Sequence, residues 1–234
     1  SSVWGGFSLR WYTALFNNEQ IIEAAILSLK IAATSATFAT ILGTMAGLAL
    51  TQMGRYRGRL IFTGLIAAPL VMPEVITGLS LLLMFVSLQE LIGWPVSRGA
   101  STITIAHITF SMAYVAVVVQ SRLSSMDQSL QEAAMDLGGR PMQVAFDITL
   151  PLIAPSMLSG WLLAFTLSLD DLVIASFTSG AGASTLPMVI FSKIKLGVTP
   201  DINALATLII GIVSIGIIIA SWIMFRQSKH NGVK

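Results

Sequence analysis

The sequence predicts an all-α membrane domain that crosses the bilayer several times. Three observations carry that expectation. Apolar residues make up 55% of the 234 residues and charged residues only 10%, where a soluble domain carries about a quarter charged. The mean hydropathy is +0.83. The apolar residues also fall in runs that match the length of helix, about 20 residues, needed to cross a hydrocarbon core. One polytopic domain accounts for the whole length. With no cysteine in the chain, a disulfide framework and thiolate metal ligation are excluded, and no metal site is expected. A net charge of +2 is too small to imply a nucleic-acid partner.

Residues 1–20 place Trp4, Phe7, Trp11, Tyr12 and Phe16 among polar spacers. This is an amphipathic lead-in at the membrane interface or an aromatic belt anchor. The first span is expected at 21–51, and its Gly43-x-x-x-Gly47 permits close helix contact. Lys30 lies several residues inside it, with Glu23 two turns earlier on the same face, so snorkelling or pairing is expected of it. The second stretch, 60–89, contains Pro69, Pro73 and Gly78, which break or bend it beside Glu74. Further spans are expected at 102–121, 148–169 and 203–225. The apolar stretch 172–192 is interrupted by Ser179-Gly180-Ala181-Gly182 and Pro187, and reads as a broken or re-entrant element. Residues 226–234 form a polar tail after a transmembrane domain of 21–225.

Basic residues orient the bundle. Arg55, Arg57, Arg59, Arg122, Arg140, Arg226, Lys229 and Lys234 fall on one side, and Arg10, Arg98, Lys193 and Lys195 on the other. By the positive-inside rule the first group is cytoplasmic. Five spans with a cytoplasmic C-terminus put the N-terminus outside, so a sixth span is expected before Ser1.

The loop 122–147 is long, polar and patterned. Ser129 and Glu132 make a Ser-x-x-Glu capping box, which would satisfy backbone N–H groups of a first helical turn. Ala133, Ala134, Met135 and Leu137 favour helix. Gly138 or Gly139 offers a left-handed stop, and Pro141 follows. Leu130, Ala133, Ala134 and Leu137 form one apolar stripe. A helix this short is marginal alone, so the stripe is expected to dock on something. Glu132-Ala133-Ala134, three residues, Gly138, nine residues, then Ile148-x-Leu150-Pro151 resembles in full the EAA signature of permease subunits of ABC importers. The resemblance implies a type I importer transmembrane domain. It also implies that this segment is a cytoplasmic coupling helix inserted into a groove of an ATP-hydrolysing subunit.

Ionisable residues near the bilayer centre cost roughly 2.5–3.5 kcal/mol each on insertion scales, so each needs a reason. Glu74 contacts a translocated cation or caps the break beside it. Asp170 and Asp171 close the fourth span. They point about 100° apart on a helix, so one can face a path while the other caps or sits in an interface. His107 and Ser111 share a helix face, but no G-x-S-G-type segment and no evident carboxylate orienter accompany them. A hydrolase is therefore not expected, and there is no catalytic residue to assign.

Residues 168–177 (Ser-Leu-Asp-Asp-Leu-Val-Ile-Ala-Ser-Phe), 185–188 (Thr-Leu-Pro-Met), 197–206 and Pro69 to Leu83 are similar to the corresponding segments of polyamine-importer permeases. Among these the putrescine type resembles the chain most, and Lys30 departs from the small polar residue expected there. The resemblance implies a bacterial inner-membrane protein. Its partners would be a homodimeric cytoplasmic ATPase, a second homologous permease and a periplasmic binding protein. A diamine suits carboxylates with aromatic faces between them. Glu74, Asp170 and Asp171, with Tyr114, Trp161, Phe165 and Phe177, are therefore candidates for the substrate path. Resembled relatives also import iron(III), thiamine or phosphonates. The chain has no G-x-x-x-x-G-K-[ST] segment, so ATP and Mg are expected on the partner and no cofactor on this chain. An ion-coupled secondary transporter would show paired repeats that are not seen here.

Overall fold

The computed structural model describes residues 10–54, 56–127, 129–197, 200–208, 210, 211 and 214. The expectations for Trp4 and Phe7, for Arg55, for most of 203–225 and for the tail with Arg226, Lys229 and Lys234 lie outside the described residues.

The regular elements described are helical. They run α1 (Arg10–Phe16), α2 (Glu19–Gln52), α3 (Arg59–Val71), α4 (Glu74–Ile92), α5 (Ala100–Ser124), α6 (Ser129–Asp136) and α7 (Pro141–Val144). A π-helical turn, Ala145–Thr149, leads into α8 (Leu150–Asp170), α9 (Val173–Thr178) and α10 (Leu186–Leu196). Among the described residues α2, α4, α5 and the continuous run Pro141–Asp170 are long and apolar enough to cross a membrane. The chain divides into two compact units, 24–188 and a smaller one made by 1–23 with 189–234. In the smaller unit Leu15, Ile21, Val189 and Ile202 are buried, and Lys193 Nζ pairs with Asp201 Oδ2 at 2.9 Å.

The larger unit is organised around α2, α5 and α8. α2 and α5 run parallel with a constant offset: Ile31 clusters with Ile103, Gly43 faces Val115 and Gly47 faces Val119. α8 runs the other way, since Gly160 meets Val115 while Ser168 meets His107. A Cβ on Gly43 would lie 2.7 Å from Val115 Cβ, and one on Gly160 would lie 3.1 Å from Val115 Cγ1. Val115 is thus seated between two glycines, with Ala36, Ala39, Val119, Ile153 and Ala164 buried around it. Such close approach matters because lipid offers no hydrophobic drive between helices, so packing has to supply the attraction.

The directions place the ends of α2 and α5 and the start of α8 together, with Arg57, Arg59, Arg122 and Arg140 in the segments at that end. Arg59 donates to the Leu50 and Gly54 carbonyls, both at 2.7 Å. It thereby caps the last turn of α2, where a cation also complements the helix dipole.

The stretch 60–89 is divided at Pro73, the break marked by its prolines. Met72 is extended (φ −80, ψ 137), as a residue before proline prefers. α3 packs on α2 and α5 through Phe62, Ile66, Ala46, Met112 and Ala116. α4 packs through Leu81 and Phe85 onto Ala106 and Phe110 of α5 and Ile174 of α9.

Residues 172–192 make no span. After Asp170 the chain turns and returns over the N-terminal end of α5. There Thr102 Oγ1 donates to the Thr178 carbonyl at 2.7 Å, and Gly180 lies so near the Arg98 carbonyl that a Cβ would collide with it. The Leu186 N–H then donates to Ser28 Oγ of α2 at 2.8 Å. Ser28 and Thr102 thus satisfy backbone groups that the irregular stretch leaves free, as a low-dielectric setting requires.

Gly43→Leu is expected to lower stability by about 1–3 kcal/mol through overpacking against Val115. Gly64→Leu, where no atom lies within 4 Å of the new Cβ, should leave it unchanged. Thermal unfolding of both variants in detergent checks the pair.

Candidate functional site

The loop between α5 and α8 folds as two short helices at the arginine-rich end of the larger unit. None of the residues of α6 is buried. Leu137 is 90% exposed and Leu130 49%, with Ala133 exposed and Ala134 half-buried beside them. The apolar stripe therefore finds no cover within the described residues of this chain.

Both ends of α6 are held by specific groups. At the start, the Ser129 N–H donates to Asp127 Oδ1 at 3.0 Å. The observed cap is therefore Asp127 and not the Ser129–Glu132 box expected from spacing. α6 begins at Ser129 itself, so the capping side chain must come from before it. The Ser129 N–H, and next its hydroxyl, hold the Asp127 carboxyl below the ordinary aspartate range. A folded-state value that is depressed means a cap present at neutral pH and lost as pH falls through that lowered value. At the far end Gly138 has φ 89, the Gly138 N–H donates to the Met135 carbonyl at 2.9 Å, and the Gly139 N–H to the Ala134 carbonyl at 3.0 Å. This is a complete Schellman stop. Gly139 is needed for a second reason, because a Cβ there would lie 2.7 Å from the Ala134 carbonyl oxygen.

The Ile148-x-Leu150-Pro151 part of the motif coincides with the π-helical turn. The Leu150 N–H reaches back to the Ala145 carbonyl, one residue further than in an α-helix. Pro151 has no N–H and would crowd the carbonyl four residues earlier, and the widened turn accommodates it. Ile148 and Leu150 are half-buried there, and Pro151 is exposed. Sequence reasoning missed one contact here: Gln131 Nε2 of α6 donates to Thr149 Oγ1 at 3.1 Å.

At the other end of α8 a buried polar chain links three helices. Ser35 Oγ of α2 donates to Ser168 Oγ at 3.0 Å, Ser168 Oγ lies 2.6 Å from His107 Nδ1, and His107 Nε2 lies 3.2 Å from Asp171 Oδ2. The same carboxylate accepts the Ile174 and Ala175 N–H groups at 3.2 and 2.7 Å, capping α9. His107 thus has a carboxylate partner after all; it is remote in sequence and invisible to spacing. Ser111 does not join it, and its hydroxyl has no partner in the described structure. A serine, a histidine and an aspartate in line resemble a hydrolytic triad, but the His107 and Asp171 side chains are only 2% and 6% exposed. No substrate carbonyl reaches a group so enclosed, and the chain serves packing and capping.

Asp170, one residue earlier, is exposed. It continues an exposed stripe of α8 with Ser159 and Thr166, whose hydroxyls return to carbonyls of their own helix at 3.0 and 2.9 Å. Glu74 is exposed as the first residue of α4, and no hydrogen bond is described for its side chain. The aromatic candidates are not gathered in one place. Tyr114 packs on Phe110 at 5.2 Å beside Leu81, Phe85 and Ile174. Trp161 stacks on Phe165 at 5.2 Å at the edge of the Val115 cluster, and its Nε1 donates to Thr37 Oγ1 at 3.1 Å. Phe177 presses on Gly78, where a Cβ would lie 2.7 Å from its ring. Lys30 is exposed on α2.

Residues 25–230 match the family of binding-protein-dependent transport system inner membrane components. The chain belongs to this family. It is 59% identical over 229 residues to the putrescine transport system permease protein PotI of Escherichia coli K12, covering 98% of this chain and 82% of that one. It is 42% identical over 227 residues to the spermidine/putrescine permease PotC of Haemophilus influenzae, covering 97% and 85%. In space it is similar to a bacterial ABC transporter that imports alginate (TM-score 0.75, 18% identity, 95% and 85% covered). It is also similar to the inward-facing methionine transporter MetNI (TM-score 0.68, 16% identity, 83% and 90% covered). The fold expected from composition is therefore the fold observed, and this permease is a transport subunit of the membrane and not an enzyme.

Two outcomes follow. Gly138→Ala places a side chain in the left-handed region at a cost of about 1 kcal/mol, and hydrogen exchange should show α6 fraying with α8 unaffected. His107→Leu leaves Asp171 buried without its side-chain partner. It should lower the stability of the purified chain by roughly 3 kcal/mol, read by thermal unfolding in detergent.

Proposed function

We propose that this permease carries polyamines, putrescine first and spermidine next, from periplasm to cytoplasm. The observation that carries the proposal is 59% identity to a putrescine permease in an alignment that covers 98% of the chain. The exposed carboxylates support it. A charge on a spanning helix faces a bundle interior or a water-filled cavity and not lipid. The Ser159–Thr166–Asp170 stripe therefore suits a path, and Glu74 beside a broken helix suits the same path. Asp171, with its three donors, suits holding the frame and not the cargo. Tyr114, Trp161, Phe165 and Phe177 remain candidates for cation–π contact with the ammonium groups.

In this proposal a periplasmic binding protein delivers the polyamine to the outer mouth formed with a second, homologous permease. The C-terminus of this chain lies in the cytoplasm. There a homodimeric ATPase holds ATP and Mg and receives the exposed stripe of α6, with Glu132, Ala133 and Ala134 at the contact. Closure of the ATPase dimer draws the α6 helices together and opens the path outward, and hydrolysis returns it inward. Alternating access of this kind needs two states with different contacts, and α6 is the contact element.

Reconstitution with the ATPase, the second permease and the binding protein tests the proposal. Putrescine uptake should require ATP and all four components, and uptake by the permease alone down an ion gradient would exclude it. Asp170→Asn and Glu74→Gln should each raise the half-saturating putrescine concentration roughly tenfold, the scale of one hydrogen bond to a charged group. Unchanged uptake in both removes these carboxylates from the path. Glu132→Lys should abolish uptake while the bundle stays folded.

A further inference from the structure

We infer that Gln131 is a positioning residue for energy coupling, and that its hydrogen bond to Thr149 is a strut making α6 and α8 a single lever. The inference rests on the proposal that α6 docks on the ATPase subunit.

α6 has few ways to act on the bundle. Its residues are not buried, and its apolar stripe faces outward. Between α6 and α8 lie two glycines, the short α7 and a π-helical turn, a sequence of soft joints through which displacement would dissipate. Among the described residues, the side-chain hydrogen bond that crosses these joints is Gln131 Nε2 to Thr149 Oγ1. Gln131 is half-buried, and Thr149 is 1% exposed. Thr149 Oγ1 also donates to the Val144 carbonyl at 3.4 Å. One hydroxyl therefore accepts from α6 and closes the widened turn at the same time. A π-helical turn is an offset in the ladder that recurs at functional sites. Bracing it turns a hinge into a rigid elbow. α8 continues from this elbow to Asp170 and Asp171, so a push on α6 reaches the path candidates through a braced rod and not through a flexible loop.

The test uses the complete importer in proteoliposomes. Gln131→Leu removes the donor at similar volume, Thr149→Val removes the hydroxyl, and Thr149→Ser keeps it. Expected are Gln131→Leu and Thr149→Val complexes that co-purify with the ATPase and hydrolyse ATP in response to loaded binding protein. In both, putrescine imported per ATP should fall roughly fivefold, the scale of one net hydrogen bond. Thr149→Ser should behave as the parent. A merely structural role would instead lower thermal stability and both activities together, and that result overturns the inference. Unchanged coupling in Gln131→Leu and Thr149→Val overturns it too, as does loss of ATPase co-purification in Gln131→Leu, which would make Gln131 a docking residue. Failure of the docking proposal is read separately. The chain has no cysteine, so Leu137→Cys in the parent should crosslink to a cysteine in the ATPase groove. No crosslink there removes the docking and leaves the strut without a load.

Discussion

The seating of Val115 between Gly43 and Gly160 positions everything else in the larger unit. It sets α2 and α5 parallel and α8 against them at backbone contact distance. In water such an interface would be helped by expulsion of solvent. In lipid the tails are as apolar as the side chains, and attraction rises only as backbones approach. Two glycines facing one branched side chain bring three helices that near. Once they are, the ends of α8 are placed: one beside the segments that carry Arg59, Arg122 and Arg140, the other ten residues beyond Gly160 at Asp170.

Satisfaction of polar groups then shapes both ends. At the C-terminal end of α8 the irregular stretch after Asp170 leaves backbone groups free, and Asp171, Thr102 and Ser28 each satisfy some of them. His107 ties that arrangement to α5, and Ser168 and Ser35 extend it to α2. At the N-terminal end of α8 Pro151 removes a donor, the ladder widens, and Thr149 closes the gap while holding Gln131. Both ends of the same rod are thus fixed by a buried hydroxyl or carboxylate whose bonding groups are engaged. The stripe of α6 and Asp170 stay exposed at the two ends of this fixed rod.

Much of this was legible in the amino-acid order because its causes are local. Hydrophobic run length marked the spans, Pro73 the division of 60–89, and Ser179 to Gly182 the failure of 172–192 to span. The EAA spacing located α6, its glycine stop and the start of α8, since a short helix, a positive-φ residue and a proline each leave a signature in place. Proximity in three dimensions left none. The Asp127 cap was missed because Ser129-x-x-Glu132 matched a capping box, in which Glu132 and not Asp127 would accept the Ser129 N–H. The partners of His107 were missed because Ser168 and Asp171 lie more than sixty residues away. Gln131 and Thr149 look like ordinary polar residues until two joints fold them together.

The order of residues by itself therefore determined that this is a helical membrane domain with a projecting helix, because periodicity, caps and breakers act over a turn or two. Tertiary structure alone decided which of two neighbouring aspartates is engaged in the frame and which is exposed. On a helix they differ only by a rotation, and the neighbours they meet are set by how α5 and α8 pack.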